Sequence, residues 1–156
     1  MRKSIIGIIV LHVVMALDQI SKLYMSELYA AHGDITVFEY CNLIQLWNKG
    51  ISFGLFSTLE NGNTVFMVLS AVIIAILSYT KIKTKSMSRS CCLSVIVGGA
   101  LGNFIDRLRF GAVYDFIDLH IGDWHWPAFN LADLTITCGV IVFLAMELRK
   151  RSQLNA

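Results

Sequence analysis

Charged residues and proline are both scarce in this sequence, and their scarcity narrows the class of protein. Only 15% of the 156 residues are charged, whereas average soluble domains carry about 25%. Hydrophobic residues make up 56% of the chain, the mean hydropathy is +0.64, and a single proline leaves the apolar runs almost uninterrupted. This composition excludes an ordinary soluble domain.

Other absences exclude further classes of function. The net charge of +2 is too small to indicate binding to nucleic acid. The four cysteines form no CxxC pair and no Cys/His zinc spacing, so a disulfide framework is not expected. His120 and His125, with Asp118 and Asp123 nearby, resemble loose metal ligands but lack the spacing of a zinc enzyme. A loop of mixed polar residues is the simpler interpretation, and we expect no metal and no cofactor.

Four apolar stretches are each long enough to cross a bilayer as a helix, which takes about 20 residues. They cover residues 4–24, 64–80, 90–108 and 131–148. Only helices and closed barrels satisfy their backbone groups in lipid, and unbroken apolar runs without alternation favour helices. The sequence therefore predicts a mainly α membrane protein, a four-transmembrane-helix bundle in which residues 1–156 form a single domain.

The basic residues predict an orientation. Nine of the 13 lysines and arginines precede the first span, join the second to the third, or follow the fourth. They are Arg2, Lys3, Lys81, Lys83, Lys85, Arg89, Arg149, Lys150 and Arg151. The positive-inside rule makes this side, with both termini, cytoplasmic. A cleaved signal peptide is the alternative for the first span, but no A-x-A pattern follows it.

The two connections predicted to face outward differ in composition from the apolar spans. Residues 34–57 contain two β-prone runs and a turn at 48–50, which predicts a small extracytoplasmic β-sheet that caps the bundle. Residues 109–130 are expected to form a loop. Within it Trp124, Trp126 and Phe129 are typical of an aromatic belt at the membrane interface.

Asp115 and Asp133 each stand where an apolar stretch meets a short polar connection, on the same predicted side. Ionisable groups in a membrane cost about 2.5–3.5 kcal/mol at a helix centre, which favours a functional role. Two carboxylates held close in a dry site share a proton and can activate water. A structural alternative remains, with Asn130 as a helix N-cap, Asp133 in the first helical turn, and Asp115 closing a turn.

The third span carries further polar groups. Asn103, Asp106 and Arg107 have i, i+3 and i+4 spacing and share a helix face. An Asp106–Arg107 ion pair would hold the bundle together, or Arg107 would hold a substrate carbonyl. Gly98 and Gly102 form a small-xxx-small pair that allows another helix to approach closely.

Three classes of function remain open from the residues alone. The first is a protease that uses the paired acids, and the second is a small transporter or proton-relay subunit. The third is a membrane scaffold with internal ties such as Asp18–Lys22, an i, i+4 pair in the first span. Transporters usually show inverted repeats, and none is visible here.

Several motifs, taken together in chain order, resemble the lipoprotein signal peptidase family, the type II signal peptidases of bacteria. The matching blocks are 18–22 (DQISK), 48–54 (NKGISFG), 98–107 (GGALGNFIDR), 111–116 and 129–133 (FNLAD). Each block alone is weak. Their order and spacing across almost the whole chain make the resemblance specific.

The resemblance implies an intramembrane aspartyl endopeptidase of the bacterial inner membrane. Such an enzyme removes the signal peptide from prolipoproteins, cutting before a cysteine that carries a diacylglyceryl group. It implies lipid-modified prolipoproteins and membrane lipids as partners, and we expect a monomer. Asp115 and Asp133 would be the catalytic pair, and Asp106 would be structural. Substrate-binding or supporting roles would fall to Asp18, Lys22, Asn48, Gly50, Asn103, Arg107 and Asn130.

Overall fold

The long apolar runs form four helices within residues 2–50 and 62–154, the ranges that the computed structural model describes. The helices are α1 (Arg2–His32), α2 (Gly62–Lys83), α3 (Met87–Phe110) and α4 (Leu131–Leu154). Each contains a stretch long and apolar enough to cross a membrane. The predicted four-helix membrane fold is confirmed. The helices extend beyond the apolar windows, because polar residues such as those ending α1 continue a helix outside hydrocarbon.

Helix α3 is the centre of the bundle. Half of its most apolar window is buried, whereas none of the corresponding window of α2 is. Close approach depends on its glycines: a Cβ at Gly98 would lie 2.7 Å from the Leu11 carbonyl oxygen of α1. A Cβ at Gly99 would lie 2.8 Å from the Ala132 carbonyl oxygen of α4. Small residues therefore allow two neighbouring helices to pack directly against α3.

The bundle interior contains polar as well as apolar side chains, while many large apolar side chains lie on the bundle surface. On α1, Asp18 has no exposed surface, whereas Ile20 is 62% exposed. Other large apolar side chains of α1, α2 and α4 are also exposed on the outer faces. This arrangement suits hydrocarbon as the surrounding solvent and leaves the interior for hydrogen-bonded polar groups.

A four-stranded antiparallel sheet lies at the end of the bundle opposite the chain termini. Its strands are β1 (Ile35–Phe38), β2 (Cys41–Asn48), β3 (Val113–Ile121) and β4 (Trp124–His125), in the order β1-β2-β3-β4. The predicted small sheet is confirmed. Residues 51–57 of the predicted β-rich insert lie outside the described residues.

The prediction of a loop over residues 109–130 is wrong for most of that segment. Residues 113–121 form β3, which pairs with β2, and residues 124–125 form β4. The first half of the strand, Val113 to Phe116, is buried throughout and shows no apolar–polar alternation, whereas Ile117 to Ile121 alternate and could have indicated a strand. Helix α3 ends just before, at Gly111, whose positive φ of 71° allows its N–H to bind the Arg107 carbonyl.

Candidate active site

Asp115 lies inside the sheet, on the face that meets the bundle. Asp115 lies opposite Leu46 of β2 in the strand register, and only 1% of its surface is exposed. Asn48 lies two residues beyond Leu46 and so on the same face of β2. Its Nδ2 donates to Asp115 Oδ2 at 2.9 Å. The pairing register of β2 and β3 therefore brings the Asn48 amide to the Asp115 carboxylate.

Asp133 lies in the first turn of α4. Its backbone N–H donates to Asn130 Oδ1 at 3.0 Å, and the Asn130 N–H donates to Asp133 Oδ2 at 3.2 Å. These reciprocal contacts form a capping box, so the helix-start interpretation is correct. The second oxygen, Asp133 Oδ1, accepts from Asn103 Nδ2 of α3 at 2.8 Å. Capping therefore occupies only part of this carboxylate.

Asn130 joins the two aspartates in one site. Its Nδ2 donates to Asp115 Oδ1 at 2.6 Å, while its backbone N–H donates to Asp133. Each of the four carboxylate oxygens thus accepts one N–H from asparagine. The two acids therefore lie at the same end of the bundle, the end opposite the chain termini, and are joined through Asn130.

Three asparagine side chains are held in one orientation by donors to their carbonyl oxygens. Asn48 Oδ1 accepts from the Gly50 N–H at 2.8 Å, and Asn103 Oδ1 accepts from Lys22 Nζ at 2.8 Å. Asn130 Oδ1 accepts from the first turn of α4. An amide whose oxygen is bound in this way must present its NH₂ group to its other neighbour. All three NH₂ groups consequently face the aspartate pair.

Lys22 is the centre of a buried polar network beneath the pair. Its Nζ lies 2.8 Å from Asp18 Oδ2, 2.8 Å from Asp106 Oδ2 and 2.8 Å from Asn103 Oδ1. The expected Asp18–Lys22 bridge is therefore present. The expected Asp106–Arg107 ion pair is wrong, because adjacent helical residues point to different faces and Asp106 faces α1 instead.

Gln19 is a further member of this polar network, and its role was not predicted from the sequence. Its Nε2 donates to Asp106 Oδ1 at 2.9 Å and to the Gly102 carbonyl at 3.2 Å. Its position three residues before Lys22, within an apolar span, was the available clue. Asp18 completes the network, since its Oδ1 accepts from the Ala132 N–H of α4 at 2.9 Å. The network therefore ties α1, α3 and α4 together directly below the aspartates.

Arg107 points away from Asp106 and toward α2. Its guanidinium lies 5.9 Å from the ring centre of Phe66, and Nη1 reaches the Asn103 carbonyl only at 3.5 Å. Nε is buried and has no hydrogen-bond partner among the described residues. The cation lies within electrostatic reach of both Asp133 and Asp115. Arg107 is thus a positive donor beside the pair, and its Nε–H is unpaired within residues 2–50 and 62–154.

Glycine is required at position 50 by the backbone conformation and by the lack of space for a side chain. Its φ of 92° lies in the region that favours glycine, and a Cβ there would overlap the ring of Phe66. This conformation directs the Gly50 N–H to Asn48. The glycine therefore orients Asn48 and, through it, Asp115.

The two aspartates of β3 have opposite electrostatic environments. Burial, reinforced by the charge of Asp133, raises the pKa of Asp115 to about 6, against the hydrogen bonds from Asn48 and Asn130. Burial also disfavours ionised Asp118, but hydrogen bonds from His125 and Asn42 outweigh it and lower its pKa. Asp115 therefore retains a proton more readily than its strand neighbour.

The two histidines of the β3–β4 hairpin form a cluster that is separate from the aspartate pair. His125 Nδ1 lies 2.8 Å from Asp118 Oδ1, and the rings of His120 and His125 stack at 5.0 Å. Asp123 is exposed. Across residues 2–50 and 62–154, no three His, Cys, Asp or Glu side chains are grouped to hold a metal ion.

A cavity of about 580 Å³ adjoins the site beside Asn48. Trp47, Lys49 and Trp126 also line it, together with Asp118 on the far side. Its lining combines aromatic surface with a few polar groups, as in sites that bind an extended ligand. The contact between Asn48 and Asp115 connects this cavity to the carboxylates.

Comparison with known proteins gives a consistent result. A family model described as signal peptidase (SPase) II matches residues 10–149. The chain is 98% identical to the lipoprotein signal peptidase of Anaplasma phagocytophilum (strain HZ), with 100% of both chains covered. It is 49% identical to that of Anaplasma marginale (strain Florida), over 94% of this chain and 86% of the relative.

The fold has a solved relative as well. A bacterial membrane enzyme structure obtained by the in meso method at 2.3 Å resolution superposes with a TM-score of 0.77. The two sequences are 30% identical, and the match covers 94% of this chain and 90% of the other.

Proposed function

This chain belongs to the signal peptidase II family of aspartyl proteases, which cleave the signal peptide from prolipoproteins, and we propose that Asp115 and Asp133 are its catalytic pair. The observation that carries this proposal is Asn130, which hydrogen-bonds both carboxyl groups. Because the chain belongs to a family of proteases, the alternative of a transporter or proton-relay subunit is not favoured.

The two acids take different parts in the reaction. Asp115 is buried and its pKa is raised to about 6, which favours it as the member that holds the proton and polarises the scissile carbonyl. The N-terminus of α4 favours negative charge at Asp133, which acts as the base on the attacking water. Asp115 and Asp133 exchange their roles as acid and base when the leaving amine takes up a proton. Because the groups interact, the proton belongs to the pair.

The surrounding donors support this chemistry in distinct ways. Asn48, Asn103 and Asn130 hold the carboxylates by their NH₂ groups, with Gly50 and Lys22 fixing the first two amides. Rigid donors of this kind reduce the reorganisation needed during reaction.

Arg107 and the cavity beside Asn48 serve the substrate. The buried Nε of Arg107, without a partner among the described residues, is available to a peptide carbonyl. The cavity of about 580 Å³ suits an extended peptide segment near the carboxylates. Asp18 and Asp106, which contact Lys22 rather than the pair, act through the packing of the helices.

We also propose the finer setting of the reaction. The basic ends of the helices favour cytoplasmic termini and a site on the outer side of the inner membrane. A substrate anchored by a diacylglyceryl group would reach the site from the bilayer. Helices α1, α2 and α4 all pack on α3, which supports a single membrane domain, and we propose that this domain acts as a monomer.

The decisive experiment uses three matched aspartate-to-asparagine variants. Asp115→Asn and Asp133→Asn are expected to lose about 100-fold or more in cleavage, the scale of general acid–base catalysis. The control is Asp123→Asn, which makes the same change in the turn between β3 and β4, at an exposed carboxylate that does not line the cavity beside Asn48. Purified enzyme and a diacylated prolipoprotein give the measurement.

The control is expected to retain cleavage, and melting temperatures report whether each variant is folded. Full processing by the folded Asp115 or Asp133 variant would remove the pair from the mechanism. Equal loss in all three variants would indicate that the sheet, rather than the pair, was disturbed.

A further inference from the structure

A second charged region lies at the end of the bundle opposite the aspartates. Helix α3 begins there at Met87 and runs for 24 residues, about 36 Å, toward the strand that carries Asp115. At this end a surface cavity of about 600 Å³ has four basic side chains in its lining: Lys83, Lys85, Arg89 and Lys150. They come from α2, the α2–α3 connection, α3 and α4.

An adjoining cavity of about 450 Å³ shares Lys83 and Arg89 with the first and continues toward the bundle interior. Leu93 lies one helical turn inward from Arg89, about 6 Å along α3. Phe143 lies seven residues inward from Lys150, about 10 Å along α4. The two cavities therefore form a groove with cations at its mouth and apolar side chains deeper.

The mouth of the groove has an excess of positive charge. Glu147 is the acidic residue in the lining of these two cavities, and it pairs with Arg89 at 3.0 Å. Lys83, Lys85 and Lys150 are exposed and form no ion pair within the part of the chain that the structure describes, although Lys83 Nζ lies 5.5 Å from the ring centre of Tyr79. A ligand of this groove must therefore be anionic at one end and apolar at the other.

We propose that the groove binds one anionic phospholipid of the leaflet opposite the active site. Its phosphate lies among Lys83, Lys85 and Lys150, and an acyl chain follows Leu93 and Phe143. A phospholipid presents charge and hydrocarbon in the same order of depth as the groove. Basic pockets between transmembrane helices bind anionic head groups for this reason. A soluble phosphate would leave the apolar part of the groove unused.

The test is native mass spectrometry of the full-length protein with defined lipids. Phosphatidylglycerol and phosphatidylcholine with identical acyl chains are titrated separately. The variant Lys85→Gln/Lys150→Gln is compared with the control Arg149→Gln/Arg151→Gln. Each removes two charges from exposed side chains at the same end of the bundle, but the control residues do not line either cavity.

The native protein is expected to prefer phosphatidylglycerol. The lysine variant is expected to lose about tenfold or more of that affinity, since each basic residue near an anionic head group contributes on this scale. The arginine control retains the native affinity, and glycerol 3-phosphate does not compete. Glu147→Gln is expected to bind phosphatidylglycerol more tightly, because it removes the negative charge that pairs with Arg89.

Three results would overturn the proposal. Equal loss in both double variants would mean that general surface charge attracts the lipid. Equal binding of phosphatidylcholine would show that the cations do not select the head group. Competition by glycerol 3-phosphate would indicate a simple anion site without a role for the apolar groove. Melting temperatures in the absence of lipid verify that the variants are folded.

Discussion

Replacing Asn48 by alanine is expected to extend cleavage toward alkaline pH. The Asn48 amide lies 2.9 Å from Asp115 Oδ2 and stabilises the ionised carboxylate, so it opposes the effect of burial, which raises the pKa of Asp115 to about 6 even with this hydrogen bond in place. A hydrogen bond to a charged group is worth about 1.5–3 kcal/mol. With about 1.4 kcal/mol for each pKa unit, its loss raises the pKa by about one to two units.

The sign of the effect follows from the proton that the pair must keep. Cleavage needs one protonated and one ionised aspartate, so activity falls as the pH rises through the upper pKa of the pair. A higher pKa retains the proton to higher pH. The alkaline limb of kcat/KM, which reports the free enzyme, therefore moves upward in the Asn48→Ala variant.

The assay measures kcat/KM from acid to alkaline pH with a diacylated prolipoprotein peptide. Asn42→Ala is the matched control, because Asn42 lies on the same strand and donates to Asp118 at 3.1 Å, away from the pair. Its profile is expected to keep the native alkaline limb. An Asn48→Ala limb that stays in place or moves to lower pH would refute the role assigned to this hydrogen bond.

Two further predictions concern the network beneath the pair. Asp106→Asn is expected to lower the free energy of unfolding by about 1.5–3 kcal/mol, because Lys22 loses one of two charged partners, while the folded variant still cleaves substrate. Thermal unfolding in detergent and turnover decide this, and an unchanged melting temperature with lost turnover would contradict it. Gly102→Ala is expected to cost about 1–3 kcal/mol, since its Cβ would overlap the Asp18 carboxylate. The cost should shrink in an Asp18→Ala background, and an equal cost there would exclude this clash as the cause.

Much of the candidate site was recognisable in the sequence, but its connections were not. The residues named from motif positions meet around Asp115 and Asp133, and the helix-start chemistry expected of Asn130 is also present. The capping role and the proposed catalytic role of Asp133 are compatible, because its two oxygens face different donors. Local spacing predicts the cap but does not indicate that the other oxygen faces α3.

Errors occurred where neighbours in sequence are not neighbours in space. An Asp106–Arg107 ion pair was considered because both residues were placed on one helix face with Asn103, yet Asp106 contacts Lys22 of α1. Strand β3 was taken for a loop although Ile117 to Ile121 alternate between apolar and polar residues, because its buried half, Val113 to Phe116, lacks that alternation. Gln19 was overlooked because attention went to its charged neighbours Asp18 and Lys22 in the same polar run.

The sequence by itself determined the membrane class and the four spans, because hydropathy acts over windows of about 20 residues regardless of their partners. Its ordered motifs also indicated the family. Only the tertiary structure decided which polar groups meet. Asn48 reaches Asp115 across 67 positions, and the Ala132 N–H reaches Asp18 across 114. Such contacts depend on strand register and on how closely glycines allow helices to approach, and neither is set by local composition.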